Sequence, residues 1–169
     1  MKYPIGIQTF KRVIKEGFVY VDKTQLVYDL VTTSSVVFLG RPRRFGKSLL
    51  LSTIENYFLG EKELFKGLAI EALEKEWQTY PVLTLSFGRQ DFKGVDGAKV
   101  LEKAINTFLR NAEEEYGLVS ANDTLGDRFF NLLRLIYEKT GRQVVVLIDE
   151  YDAPLLDVVH EEENLNDLR

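Results

Sequence analysis

No cysteine occurs anywhere in the chain, which excludes disulfides and thiolate metal sites and fits a reducing compartment. Histidine is nearly missing too. The one present, His160, stands in an acidic run without a partner at metal-ligand spacing, so it reads as a surface residue. Long apolar runs are lacking: residues 144–148 form one of the longest, far short of the roughly 20 needed to cross a bilayer. The opening residues Met1-Lys2-Tyr3-Pro4-Ile5-Gly6 have no basic segment followed by an apolar stretch and a small-residue cleavage site, so they do not resemble a secretory leader. Nor is there a surplus of positive charge. Twenty-six acidic residues against 22 basic ones leave a formal charge of -4, and nucleic acid or anionic lipid would find no general attraction. These absences point to a soluble cytoplasmic protein with no membrane segment and no evident nucleic-acid surface. No repeat, low-complexity tract or Pro/Ser linker divides the 169 residues, so one domain is expected.

What the chain does contain is ample for a packed core: 45% of residues are hydrophobic and 12% aromatic. Val36-Val37-Phe38-Leu39 is a short apolar run ending at Gly40, and a helical pattern with Leu50, Ile54, Tyr57 and Phe58 on one side follows from Lys47, with Gly60 as its stop. A second helical stretch is expected over residues 70–77. Residues 81–87, Pro-Val-Leu-Thr-Leu-Ser-Phe, read as a second strand with proline at the position where a missing ladder donor is least harmful. An amphipathic helix over residues 98–116 then places Val100, Leu101, Ala104, Ile105, Phe108 and Leu109 on one face and stops at Gly117. Asp123-Thr124 suits the cap of another helix, which carries Phe129, Leu132, Leu133, Ile136 and Tyr137 and ends at Gly141. Residues 144–148 are an unbroken apolar run, as expected of a strand covered on both faces. Strands alternating with helices predict an α/β fold with a three-layer parallel sheet, and Gly46-Lys47-Ser48 between the first strand and its helix makes it the P-loop NTPase form. Residues 1–33, with an aromatic cluster (Phe10, Phe18, Tyr20) and a short helix over 23–30, are expected to form an added lobe. Residues 34–169 would be the nucleotide-binding core. A sheet of this class usually has two further strands after the one at Val144, so the sequence is expected to be truncated at its carboxy terminus.

Two segments carry chemistry. Gly40-Arg41-Pro42-Arg43-Arg44-Phe45-Gly46-Lys47-Ser48 lies between an expected strand and helix, the context in which successive backbone N–H groups and a helix amino terminus surround a phosphate. Gly46 lets the backbone approach the ligand, Lys47 brings an ammonium to the β and γ phosphates, and the Ser48 hydroxyl completes a magnesium shell. The first glycine of the usual pattern is replaced by Arg41, with Gly40 one residue earlier. Arg41, Arg43 and Arg44 add positive charge beside the loop, either as solvated background or as a phosphate or acidic-partner contact. The second segment, Val144-Val145-Val146-Leu147-Ile148-Asp149-Glu150, is an apolar strand ending in two acids. Asp149 is the candidate magnesium-holding acid, acting with Ser48, and Glu150 the candidate to polarise an attacking water. Other polar residues have blander readings. Asp152 suits a helix cap as well as an arginine contact, Asp157 lies just downstream, Ser86 and Gln90 read as loop polarity, and in Tyr20-Val21-Asp22-Lys23-Thr24 a capping role for Asp22 is preferred over contact with a base.

Pro4-Ile5-Gly6-Ile7 with Phe10, Tyr20-Val21-Asp22-Lys23-Thr24, Arg41-Pro42-Arg43-Arg44-Phe45-Gly46-Lys47-Ser48-Leu49 and Asp149-Glu150-Tyr151-Asp152-Ala153-Pro154 together resemble the bacterial AAA-ATPase-like family. In that family the replaced first glycine is a shared trait. The resemblance implies an ATPase of the additional-strand type, often continued by a carboxy-terminal nuclease-like domain of the PD-(D/E)XK type. It assigns ATP and Mg2+ as ligands. A homo-oligomer or protein partner stays open. Two functions remain: a Mg-ATP hydrolysing module, and a nucleotide-dependent interaction module without useful hydrolysis. A small-molecule kinase is disfavoured because no acceptor-binding constellation is evident, and a GTPase because no Asn-Lys-x-Asp segment is present.

Overall fold

A computed structural model of the chain describes residues 1–42, 44–88, 97–120 and 124–154. They gather into two compact units, Met1–Val82 and Leu83–Arg169.

The first unit is helical: α1 (Phe10–Lys15), α2 (Thr24–Thr33), α3 (Lys47–Phe58) and α4 (Ala69–Leu73), with a 3-10 turn at Lys62–Phe65. Its centre is aromatic. Phe10 packs edge-on against Tyr20, with ring centroids 5.1 Å apart, and against Phe65 at 4.9 Å, while Phe65 meets Trp77 at 5.2 Å. Phe10, Val13, Val27, Phe65 and Ile70 are fully buried. Each such side chain contributes about 1.5–3 kcal/mol through its removal from water. The backbone N–H of Phe10 donates to Ser52 Oγ on α3 at 3.1 Å, which ties α1 to α3.

Val21-Asp22-Lys23-Thr24 does more than cap one helix. Asp22 Oδ1 accepts from the Thr24 N–H (2.8 Å) and hydroxyl (2.7 Å) at the start of α2, and its other oxygen accepts from Ala69 N–H at the start of α4 (2.7 Å). The Thr24 hydroxyl in turn accepts from Ile70 N–H at 3.1 Å. Two helix amino termini, each with orphan donors, thus share one carboxylate and one hydroxyl. The capping role expected of Asp22 is found, doubled.

The second unit comprises β1 (Val82–Ser86), α5 (Gly97–Tyr116), α6 (Leu125–Thr140) and β2 (Val145–Asp149), the two strands pairing in parallel. Leu83 on β1, Leu109 and Ala112 on α5, and Leu132 and Ile136 on α6 form one buried cluster. Phe87, Ala104 and Ala153 form another, with Leu85, Val100, Leu101 and Ile105 against it. Leu83, Leu85 and Phe87 share one face of β1 by alternation, Leu83 meeting the first cluster and Leu85 and Phe87 the second. Thr124 caps α6, accepting from Asp127 N–H at 3.1 Å, and α6 ends before Gly141, as its spacing predicts.

Three expectations are corrected. Residues 36–39 form no strand: Val36 is 90% exposed and Phe38 71%, and the first unit offers these residues no other strand among those described. Hydrophobicity can mark a strand, but only a ladder partner makes one. Residues 145–149 are covered on one face rather than two among the described residues, with Ile148 48% exposed. The sheet seen is therefore two-stranded, within an α/β arrangement. The helix expected over 70–77 stops at Leu73, because the Glu74 carboxylate turns back to accept from the N–H groups of Glu76 and Trp77 and the Tyr57 hydroxyl donates to it at 2.5 Å. No helix of the described residues is long and apolar enough to cross a membrane.

Candidate functional site

The phosphate-loop candidate ends where α3 begins. Gly46 is the residue before the helix and has φ 75° and ψ 21°, the left-handed region that a Cβ disfavours, and a Cβ there would meet open space. Conformation, not crowding, therefore calls for glycine. Arg44 also has positive φ, 68°. Among the described residues only Arg44, Trp77 and Glu150 share that feature outside glycine, and two of the three fall in the segments that the sequence marks for chemistry. Such backbone strain concentrates where a loop is shaped for a ligand.

Lys47 and Ser48 occupy the first turn of the 12-residue α3, with the Leu50 N–H closing onto Gly46 O at 3.0 Å. Among the described residues no side chain caps that terminus. Its free N–H groups carry partial positive charge. Among the described residues, neither the Lys47 ammonium nor the Ser48 hydroxyl is engaged by another side chain. Both are half-buried, whereas Gly40, Arg41, Pro42, Arg44 and Phe45 are exposed. The donor set suits an anion with several oxygens and a hard cation beside it: backbone donors, one ammonium and one hydroxyl ligand. Arg43 lies outside the described residues, as do Gln90, Asp123, Asp157 and His160.

The acids belong to the second unit. Asp149 is the last residue of β2, half-buried, and its Oδ1 accepts from the Glu150 N–H at 3.0 Å. Its carbonyl accepts from the Phe87 N–H at 3.2 Å, so the pairing of β1 and β2 continues to the strand ends. Glu150 has φ 53° and is exposed, and its carbonyl accepts from Ala153 N–H at 3.0 Å across the turn that holds Asp152. The two neighbouring acids thus stand differently. Asp149 is anchored at the strand end, and Glu150 is turned out of the strand.

Gly88 is the neighbour that sequence reading missed. An ideal Cβ at Gly88 would overlap the Glu150 carboxylate, so the two residues are neighbours at the ends of the paired strands. A signal existed. Glycine just past the carboxyl end of a parallel strand is where a close approach is expected, one residue beyond the expected strand and between Ser86 and Gln90, which did draw notice. Ser86 closes β1 and is half-buried. Tyr20 packs on Phe10, with its hydroxyl 3.5 Å from Thr53 Oγ1, so in its own unit it serves the core.

Comparison with known proteins agrees in one respect. Residues 4–169 match the model of the AAA-ATPase-like family, described as predicted AAA-ATPase. A protein of Azotobacter chroococcum mcd 1 described as an uncharacterized protein in the vnfD 5′ region is 39% identical over 170 residues. That match takes in 99% of the chain and 32% of the relative, so the chain spans about a third of the length of the curated relative it matches. No solved structure matches the chain.

Proposed function

Because the chain belongs to the AAA-ATPase-like family, we propose that it is a P-loop module that binds Mg-ATP and, with Glu150, hydrolyses it. The observation that carries the reading is the start of α3: a left-handed Gly46, an uncapped helix terminus, and Lys47 and Ser48 in its first turn with no competing side-chain partner among the described residues. Lys47 binds the β and γ phosphates and Ser48 contributes a hydroxyl to magnesium, with the residues from Gly40 to Phe45, the arginines Arg41, Arg43 and Arg44 included, lining the phosphates. Bound magnesium supplies charge neutralisation at the phosphate oxygens. In the second unit Asp149 is assigned to magnesium, and Glu150 accepts the proton of, or orients, the attacking water. The same reading makes residues 1–33 an added lobe and 34–169 the core of a three-layer sheet.

Titration calorimetry of the chain with ATP and magnesium tests this. Binding is expected for the wild type, and Lys47→Ala should abolish its heat, since the loop loses its dedicated ammonium. Unchanged affinity in Lys47→Ala would sink the phosphate-loop assignment. Binding without turnover would instead identify a nucleotide-dependent interaction module.

A further inference from the structure

We propose that the turn over residues 74–77 is a latch closed by the far end of α3, so that nucleotide bound at the start of that helix steadies the segment leading into β1. The proposal rests on phosphate binding at Lys47 and Ser48. Its starting point is backbone strain. Arg44 and Glu150 have positive φ within the segments marked for chemistry; Trp77, at φ 44°, is the remaining non-glycine residue so placed among those described, and its bulk disfavours that region. Something must hold it there. The Trp77 N–H donates to Glu74 Oε1 at 3.4 Å, beside the Glu76 N–H at 2.8 Å, and Oε2 of the same carboxylate accepts from the Tyr57 hydroxyl at 2.5 Å. Burial first, and then the Glu74 carboxylate, push that hydroxyl above its ordinary value, while the donors around Glu74 lower its carboxyl against the effect of burial. A neutral donor thus meets a charged acceptor, the stronger kind of hydrogen bond.

Tyr57 stands in the last turn of α3, and the fastening continues past it. The Phe58 carbonyl accepts from the Tyr80 N–H at 2.8 Å, the rings of Phe58 and Tyr80 meet edge-on with centroids 5.5 Å apart, and the Trp77 ring lies 5.9 Å from that of Tyr57. Residues 74–80 are therefore fixed at both ends to the carboxyl end of α3, and β1 begins two residues later, at Val82. The helix itself is the relay. α3 has 12 residues, a length at which an isolated helix is marginal, so what stabilises its first turn also reduces fraying of its last. Phosphate on the free N–H groups of the first turn does this. Strain at Trp77 and the hydrogen bonds that oppose it are of similar size, so the latch stands near balance and responds to a small stabilisation of α3. By reciprocity, the closed latch raises affinity for Mg-ATP by the factor by which Mg-ATP favours closure.

The experiment is amide hydrogen exchange and tryptophan emission with and without Mg-ATP, on the wild type, Lys47→Ala and Tyr57→Phe. Trp77 is the chain's single tryptophan, so emission reports this turn. In the wild type, Mg-ATP should slow exchange over residues 74–80 by at least about fivefold, more than any slowing over α6, and should shift the emission. Tyr57→Phe keeps the ring and removes the hydroxyl; it should lose both responses and bind Mg-ATP about fivefold more weakly. Mg-ATP binding with unchanged emission, or with exchange over 74–80 slowed no more than over α6, would overturn the latch and leave the proposed function standing. Wild-type affinity in Tyr57→Phe would overturn it too, and the wild-type measurement decides the matter if that variant does not fold. A wild type that binds no Mg-ATP, or a Lys47→Ala variant that binds it equally well, would remove the phosphate site and the latch with it.

Discussion

At the scale of single residues, adjacent acids are held in unlike ways, and under the proposed function the difference has a kinetic consequence. Asp149 closes β2 and turns one oxygen back onto the next N–H, while Glu150 leaves the strand with a left-handed backbone. A carboxylate that pairs with a metal acts on affinity; one that orients water acts on turnover. Glu150→Gln should therefore keep Mg-ATP affinity within a few-fold while hydrolysis falls by roughly two or more powers of ten. Asp149→Asn should weaken magnesium-dependent affinity instead. Calorimetry at varied magnesium beside a phosphate-release assay separates the two, and equal loss of binding in both variants would mean that the acids only finish the strand. Both acids were legible in the sequence as the polar end of an apolar run.

At the scale of elements, helix starts decide local stability. The Asp22 and Thr24 pair serves two helices, so losing it should cost more than an ordinary cap. Thr24→Val leaves the buried Ile70 N–H without its acceptor and takes a donor from Asp22. The expected loss is about 2 kcal/mol, seen as a lower urea midpoint with an unchanged slope. Thr124→Ala removes an exposed cap, the bond from the Asp127 N–H together with the hydroxyl's own bond to Asp127 Oδ2, and strands no buried donor, so it should cost about 1 kcal/mol. An equal effect of the two would contradict the shared-cap account. Capping residues can be read from sequence when they serve the helix that follows, as with Thr124. The second bond of Asp22 spans 47 residues to Ala69 and follows from no local pattern. Helices with strong amphipathic spacing, such as α5 and α6, were correctly placed to within a residue or two, whereas α4 was overestimated because Tyr57, from another helix, holds the Glu74 carboxylate at the turn.

At the scale of the whole molecule, the described carboxyl groups with a resolved shift all lie below their ordinary values. For Asp22, burial pushes upward but the hydrogen bonds from Thr24 and Ala69 outweigh it; Glu74 follows the same logic with Tyr57, and Glu61 is lowered first by its hydrogen bond from Lys11. Glu113 is the extreme case. The paired hydrogen bonds from Arg128, at 2.8 and 2.6 Å, lower it first, burial opposes, and the Ser120 hydroxyl adds a further donor, leaving it at about 2 against an ordinary 4.5. A folded-state value below the unfolded one favours the charged form in the fold, so this stabilisation is present above about pH 4.5 and disappears as pH falls toward about 2. Urea midpoints measured from pH 6 to pH 2 should fall through that window. Arg128→Ala should cost about 2 kcal/mol at neutral pH and flatten the fall; an unchanged acid limb would show that the pair does not set it. What the sequence by itself determined is what repeats along the chain or depends on near neighbours: the amphipathic faces of α5 and α6, the caps at Thr124 and Asp22, the glycine before Lys47, the apolar run ending in Asp149 and Glu150. Tertiary structure alone decided which apolar runs pair as strands, as β1 and β2 do, and where α4 stops, at a Glu74 carboxylate held by Tyr57. Hydrogen-bond ladders and close packing join residues far apart in the chain, and the pattern of any one segment carries no record of its partner.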